Sequence, residues 1–171
     1  MAFPAAGADP CPARGGAVAA RAGVRKYVNE YLLRGKMSAE VNRALTLRFF
    51  DHWFSGRIDD ALALVAEDFT FTVPGDPARF PLAGTYDRTG WTDMLARVGA
   101  VMPEGVSADI LACVADDEQA VVVAHTFGTS RTGRRYDNDL CYVVRIADGR
   151  LASCREYLET IHANDVLAEG V

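Results

Sequence analysis

QAVVVAHTFGTSRTGRRYDNDLCYVVRIADGRLASCREYLE, residues 119–159, decides the fold. β-Branched and aromatic residues dominate it. Two turn signals, Thr132-Gly133 and Asp148-Gly149, divide it into strands over 119–130, 134–147 and 150–159. Asp116-Asp117 sets off a further strand over 106–115. Strands joined by such short turns pair as consecutive hairpins, so an antiparallel sheet is expected.

Upstream, the period changes. Val41, Leu45, Phe49 and Trp53 recur every fourth residue with Thr46, Phe50 and Phe54 beside them, which predicts a helix over 39–55. Ser38 is placed to cap it and Gly56 to end it. A shorter helix over 58–66 carries Asp59 and Asp60 in its first turn, where the helix dipole favours acids. FTFTV at 69–73 reads as a strand stopped by Pro74 and Gly75, and residues 75–90 as a loop punctuated by Pro and Gly. A third helix over 90–102 carries Trp91, Met94, Leu95, Val98 and Val101, and Pro103 closes it. Helices first and a meander afterwards predict an α+β domain rather than a βαβ repeat.

The whole chain has 171 residues and 18.5 kDa, the length of one ordinary domain. Half its residues are apolar and 24% are charged, which excludes disorder throughout. A net charge of -5 argues against a general nucleic-acid binder, and no apolar run approaches the ~20 residues of a membrane span. Residues 1–36 hold six basic and two acidic residues, so this short segment is basic while the remainder is acidic. They are rich in Ala, Gly, Pro and Arg and lack the apolar core of a secretory signal. Residues 1–36 are expected to be a flexible extension, with a short helix over 24–34 as the alternative, and 37–171 a single domain beginning at Met37-Ser38. Cys11, Cys113, Cys141 and Cys154 are scattered without a CxxC pair, which suits reduced thiols and a cytoplasmic location better than disulfides or zinc.

Three stretches in order, GRIDDALALVAEDFTFTVPGDP (56–77), PLAGTYDRTGW (81–91) and DNDLCYVVRIADGRLASCREYLET (137–160), resemble the NTF2-like superfamily, in its SnoaL-like and ketosteroid-isomerase-like branch. The resemblance covers nearly all of the chain after Met37. It implies a cone: a curved antiparallel sheet wrapped against about three N-terminal helices, with an apolar pocket in its mouth. It also implies a homodimer and no cofactor.

On that resemblance, strand alternation assigns the faces. Val123, His125, Phe127 and Thr129 are expected to face the pocket, with Asn138, Leu140 and Tyr142 from the next strand and Cys154, Glu156 and Leu158 from the last. Phe49 and Trp53 would join them from the first helix. The substrate wall would then be Phe49, Trp53, Val123, Phe127, Leu140 and Leu158, mostly apolar with few polar groups, as small-molecule sites are built. Val122, Ala124, Cys141, Val143 and Tyr157 would lie on the opposite face. That face is apolar for one open to water, so a second subunit is expected to cover it, the N-terminal segment being the alternative.

Four side chains on the pocket wall are candidates for chemistry. His125 titrates near neutral pH and suits a proton shuttle; its alternative is a hydrogen-bonded core histidine. Glu156 suits an acid/base or an orienting partner of His125, or else a rim ion pair with Arg135, Arg145 or Arg155. Asn138 and Tyr142 can both donate to a developing enolate oxygen; otherwise they are a strand-internal hydrogen bond and an aromatic wall. His162 is expected on the surface or in a tail. The steroid-isomerase branch places a tyrosine where this chain has Phe49, its general-base aspartate at Val73 and its protonated aspartate at Tyr142, so that particular chemistry is not expected.

No GxGxxG, P-loop, HExxH or GxSxG motif is present, and three dispersed histidines do not make a zinc triad. The expectation is a cofactor-independent acid/base enzyme of isomerase or cyclase type, without metal. It would act on a hydrophobic oxygenated small molecule in secondary metabolism and bind neither nucleic acid nor membrane. A non-catalytic small-molecule-binding module, or a dimeric interaction module of the same fold, is the alternative.

Overall fold

The computed structural model describes residues 38–168. The extension expected over 1–36, its short helix and Cys11 lie outside the described residues. In chain order the elements are α1 (Ala39–Phe54), α2 (Ile58–Ala63), β1 (Val65–Val73), β2 (Gly84–Tyr86), α3 (Arg88–Val101), β3 (Ser107–Ala115), β4 (Gln119–Thr129), β5 (Arg135–Ala147), β6 (Arg150–Leu158) and α4 (Thr160–Leu167).

The ends of the helices follow from their caps. The Ser38 hydroxyl accepts from Val41 N at 3.4 Å, and Gly56, at φ 73°, turns the chain out of α1. Asp87 accepts from Gly90 N at 2.8 Å and starts α3 two residues before the expected 90. The helix α4 was not expected. The Glu159 carboxylate accepts from Ile161 N and His162 N at 2.8 and 2.7 Å, and Ala163, Val166 and Leu167 are buried on one side.

The strands form one curved, unclosed six-stranded sheet in the order β2-β1-β6-β5-β4-β3. Neighbours are antiparallel except β1 and β6, which run parallel. The second helix stops at Ala63 rather than 66, and β1 begins at Val65 rather than 69. The reason is pairing: Leu151 N donates to the Leu64 carbonyl at 3.1 Å, and Arg150 Nη1 donates to the Ala63 carbonyl at 2.8 Å. Exposed Glu67 and Asp68 occupy an irregularity between the paired residues Val65 and Thr70, which hides the strand in the sequence. The short strand β2, within the expected loop, pairs with β1 at Phe71–Tyr86 and Val73–Gly84.

The concave face of the sheet packs on the helices through Phe49, Phe50, Phe69, Phe71 and Trp91, all fully buried. Phe49 and Trp91 stack with ring centroids 5.6 Å apart, and Phe50 meets Tyr142 at 4.7 Å.

Register in the β4–β5 hairpin sets the site. Thr126 pairs with Asn138 and His125 with Asp139. On β5, Tyr136, Asn138, Leu140, Tyr142, Val144 and Ile146 are buried, in the expected phase. On β4 the buried set is Ala120, Val122, Ala124 and Thr126, the reverse of the expected phase. Opposite residues share a face, so Asn138 brings Thr126 inward and sends His125 outward with Asp139. Val123, His125, Phe127 and Thr129 therefore lie on the convex face. Val122 and Ala124, expected there, line the core instead, while Cys141, Val143 and Tyr157 are convex as expected.

Candidate active-site cavity

A cavity of about 940 Å³ lies between the concave face and α1, α2 and α3. Trp53 and Phe54 reach it from α1, Ile58 and Leu62 from α2, and Met94, Leu95 and Val98 from α3. Tyr136, Leu140 and Tyr142 line it from β5, Glu156 and Leu158 from β6, and Thr126 from β4. Exposed Ser55, Asp59 and Glu104 mark its rim.

Glu156 and Tyr142 are direct cross-strand partners. The Tyr142 hydroxyl donates to Glu156 Oε1 at 3.2 Å. Burial pushes the Glu156 carboxyl up to about 7, and the Tyr142 hydrogen bond opposes this by favouring the ionised form. Burial and the neighbouring Glu156 charge push Tyr142 well above its ordinary value, so the phenol keeps its proton. Tyr136 is pushed up to about 12, first by burial and then by Glu156, while hydrogen bonds with the Thr126 and Asn138 side chains pull it back. The same two causes raise the buried Cys154 thiol, which is therefore a poor nucleophile. The cavity thus holds one carboxyl poised to exchange a proton near neutral pH, framed by two protonated phenols.

Of the residues expected to carry chemistry, Glu156 and Tyr142 meet in the cavity and the other two do not. His125 is on the convex face, with Nδ1 2.9 Å from Asp139 Oδ1, Nε2 3.5 Å from Asp137 Oδ1 and its ring stacked on Phe127. Asn138 is buried, but its amide is a brace: Nδ2 donates to the Glu159 carbonyl at 2.9 Å, and Oδ1 accepts from Glu159 N at 3.3 Å. That brace joins β5 to the start of α4.

Of the expected wall, Trp53, Leu140 and Leu158 line the cavity. Phe49 is enclosed by other aromatic rings, and Val123 and Phe127 are convex. Val73, at the position matched to the steroid-isomerase base, does line the cavity. Tyr136 and Thr126 were missed. The former lies two residues before Asn138, so alternation places it on the same face. The surface or tail position expected for His162 gives way to one on α4, where its ring stacks on Tyr136 at 5.8 Å and Nε2 accepts from Asp137 N at 3.1 Å.

Among the described residues, no three His, Cys, Asp or Glu side chains are grouped to hold a metal ion, and no helix is long and apolar enough to cross a membrane.

The sequence model of the SnoaL-like domain family matches residues 46–154. An NTF2-like protein from Burkholderia xenovorans is 24% identical, with a TM-score of 0.63 over 77% of this chain and 98% of its own. A candidate SnoaL-like polyketide cyclase from Jannaschia sp. is 15% identical, with a TM-score of 0.65 over 81% of this chain and 98% of its own. TerC, co-crystallised with polyporic acid, is 19% identical, with a TM-score of 0.67 over 75% of this chain and 98% of its own. At these identities the likeness is one of fold. No curated protein matches the chain.

Proposed function

The chain belongs to the SnoaL-like domain family, and from that premise we propose that it is a cofactor-independent acid/base enzyme acting on a hydrophobic, oxygenated small molecule. The observation that carries this reading is the Glu156–Tyr142 pair in an otherwise largely apolar cavity. Glu156 takes a proton from carbon next to a substrate carbonyl. The C–H bond breaks, its proton goes to the carboxylate, and its electron pair moves to the carbonyl oxygen as an enolate. Where the substrate carries a β,γ double bond the anion is a dienolate, and return of the proton from Glu156 to the γ-carbon completes an isomerisation. Attack of the enolate carbon on a second carbonyl gives an alkoxide, which takes the proton back from Glu156 and completes a cyclisation. Neither needs an external oxidant or reductant. Tyr142 holds the carboxylate in place, and Tyr136 is the hydroxyl on the same wall available to the enolate oxygen.

The named relatives, a candidate polyketide cyclase and a protein co-crystallised with polyporic acid, direct the substrate toward oxygenated ring compounds and the setting toward secondary metabolism. The described cysteines, Cys113, Cys141 and Cys154, are free thiols, which suits the cytoplasm. A homodimer through the convex face completes the proposal: Val114 on β3 is 65% and Tyr157 on β6 is 46% exposed. A monomer at micromolar concentration in sedimentation would remove the dimer.

The test is hydrogen exchange. A panel of hydrophobic ring ketones is incubated with the protein in D₂O and followed by mass spectrometry. Protein-dependent deuterium uptake next to the carbonyl, abolished in Glu156→Gln, is expected. Saturable binding without uptake would favour the binding-module alternative.

A further inference from the structure

The cavity has a charge pattern that the acid/base reading leaves unused. Among the described residues that line it, no side chain is Lys, Arg or His. Its ionisable carboxyls are Glu156 inside and Asp59 and Glu104 at the rim. Two neighbouring guanidinium groups are turned to other partners. Arg57 binds Asp51 at 2.6 Å and approaches Asp60 at 3.7 Å, and Arg88 donates to the Leu62 carbonyl at 3.2 Å.

This matters for the proton transfer. When Glu156 takes a proton from carbon, its negative charge is passed to the enolate oxygen and the net charge inside the cavity does not change. Buried negative charge is costly without a partner. Tyr136 offers a hydroxyl but no positive charge, the Tyr142 hydroxyl is given to Glu156, and the Asn138 amide is given to Glu159. Nothing the described residues present to the cavity supplies a cation before or after the transfer.

We propose that the ligand brings that cation: the cavity takes a lipophilic oxygenated ring compound carrying a protonated amine, and disfavours a carboxylate of the same shape. This rests on the cavity being the binding site, as the functional reading holds. An ammonium within the cavity offsets Glu156 before proton transfer and the enolate after it. Trp53, Phe54, Tyr136 and Tyr142 contribute aromatic surface to the same cavity, and aromatic faces attract cations where water is excluded. A carboxylate ligand would meet three like charges and no donor of opposite sign.

The experiment uses 1-naphthylmethylamine, 1-naphthylmethanol and 1-naphthoate, three probes of similar shape that differ in charge. Each is titrated into the full chain at pH 8 by calorimetry. The amine is expected to bind about tenfold more tightly than the alcohol, and the naphthoate about tenfold more weakly. Glu156→Gln, and separately the exposed pair Asp59→Asn with Glu104→Gln, should each narrow the ratio of amine to naphthoate affinity. An amine no tighter than the alcohol, a naphthoate as tight as the alcohol, or a ratio unmoved by both variants overturns the inference. If the alcohol binds and the order is broken, only the charge inference falls. If none of the three binds, the cavity as a ligand site falls with it.

Discussion

Replacing Glu156 with Gln isolates the cost of holding a carboxyl in this cavity. Gln keeps the size of the side chain and an oxygen for the Tyr142 hydroxyl, which lies 3.2 Å from Glu156 Oε1. It cannot ionise. Burial moves the Glu156 pKa from 4.5 up to about 7, so between those values the folded state retains a proton that the unfolded chain has released. Stability from this group is therefore complete below pH 4.5 and is lost as pH rises through 7. At ~1.4 kcal/mol per tenfold, the full loss is about 3 kcal/mol, and ~2.5 kcal/mol of it falls between pH 5 and pH 8. The remaining carboxyls are common to both proteins and cancel in the difference. Urea unfolding followed by Trp53 and Trp91 fluorescence at pH 5, 6, 7 and 8 should show wild type losing stability relative to Glu156→Gln by that amount. A difference that stays constant within ~0.5 kcal/mol across the range would mean the carboxyl is not desolvated, and the proton-transfer role would lose its physical basis.

Tyr142→Phe removes the hydrogen bond that favours ionised Glu156, so the Glu156 midpoint should rise further in ¹³C-carboxyl NMR; a fall would contradict the donor assignment. Asn138→Ala strands the Glu159 backbone N–H and carbonyl and should cost about 2 kcal/mol in urea, with faster amide exchange in α4 than in β3. Gly128→Ala places a Cβ 2.6 Å from Met102 Cε and 3.0 Å from the Gly105 carbonyl, and should destabilise by about 1–3 kcal/mol because the backbone contact cannot rotate away. His125→Gln lies on the convex face, so deuterium uptake should stay within about twofold of wild type; a larger loss would return the histidine to the mechanism.

The fold was legible where local chemistry and tertiary pairing agree. Ser38 and Gly56 bound α1 because a cap and a positive φ need nothing from afar, and Asp148 and Gly149, at φ 50° and 73°, turn β5 into β6 as their residue types demand. The misses came where a distant strand decided. Val65 is drawn into β1 by Leu151, and the three-residue β2 exists because β1 offers it an edge. Helix α4 had a local signal, the cap at Glu159 and the spacing of Ala163, Val166 and Leu167. The strand pattern of 150–158 runs straight into that cap and hides it, since β6 ends at Leu158 and Glu159 already caps the helix.

The convex position of His125 has a sharper cause, the centring of the β4–β5 turn. A two-residue turn at Thr132-Gly133 would pair His125 with Leu140, whereas Ser130 N donates to the Arg134 carbonyl and closes a three-residue loop centred on Thr132. AVVVAHTF at 120–127 is apolar in both phases, so hydrophobicity cannot choose between Val121-Val123-His125-Phe127 and Ala120-Val122-Ala124-Thr126. The partner strand can choose. Asp137, Asp139 and Arg145 fix its outward phase, and Asn138, Leu140 and Tyr142 its inward one. A hairpin closing symmetrically about Thr132 pairs residues equally spaced from it, so even numbers face even numbers. Asn138 must then meet Thr126, and His125 must meet Asp139, as observed. The expected wall mixed Asn138 with His125, which no hairpin centred on that residue can deliver. Glu156 and Tyr142 escaped the error because each was placed by its own strand's alternation, independently of β4. The Asp148-Gly149 turn pairs Ala147 with Arg150, and the register shift between Arg145 and Ile146 then brings Tyr142 opposite Glu156. The proposed chemistry therefore rests on a carboxyl rather than an imidazole, and the pH dependence of deuterium uptake should follow Glu156.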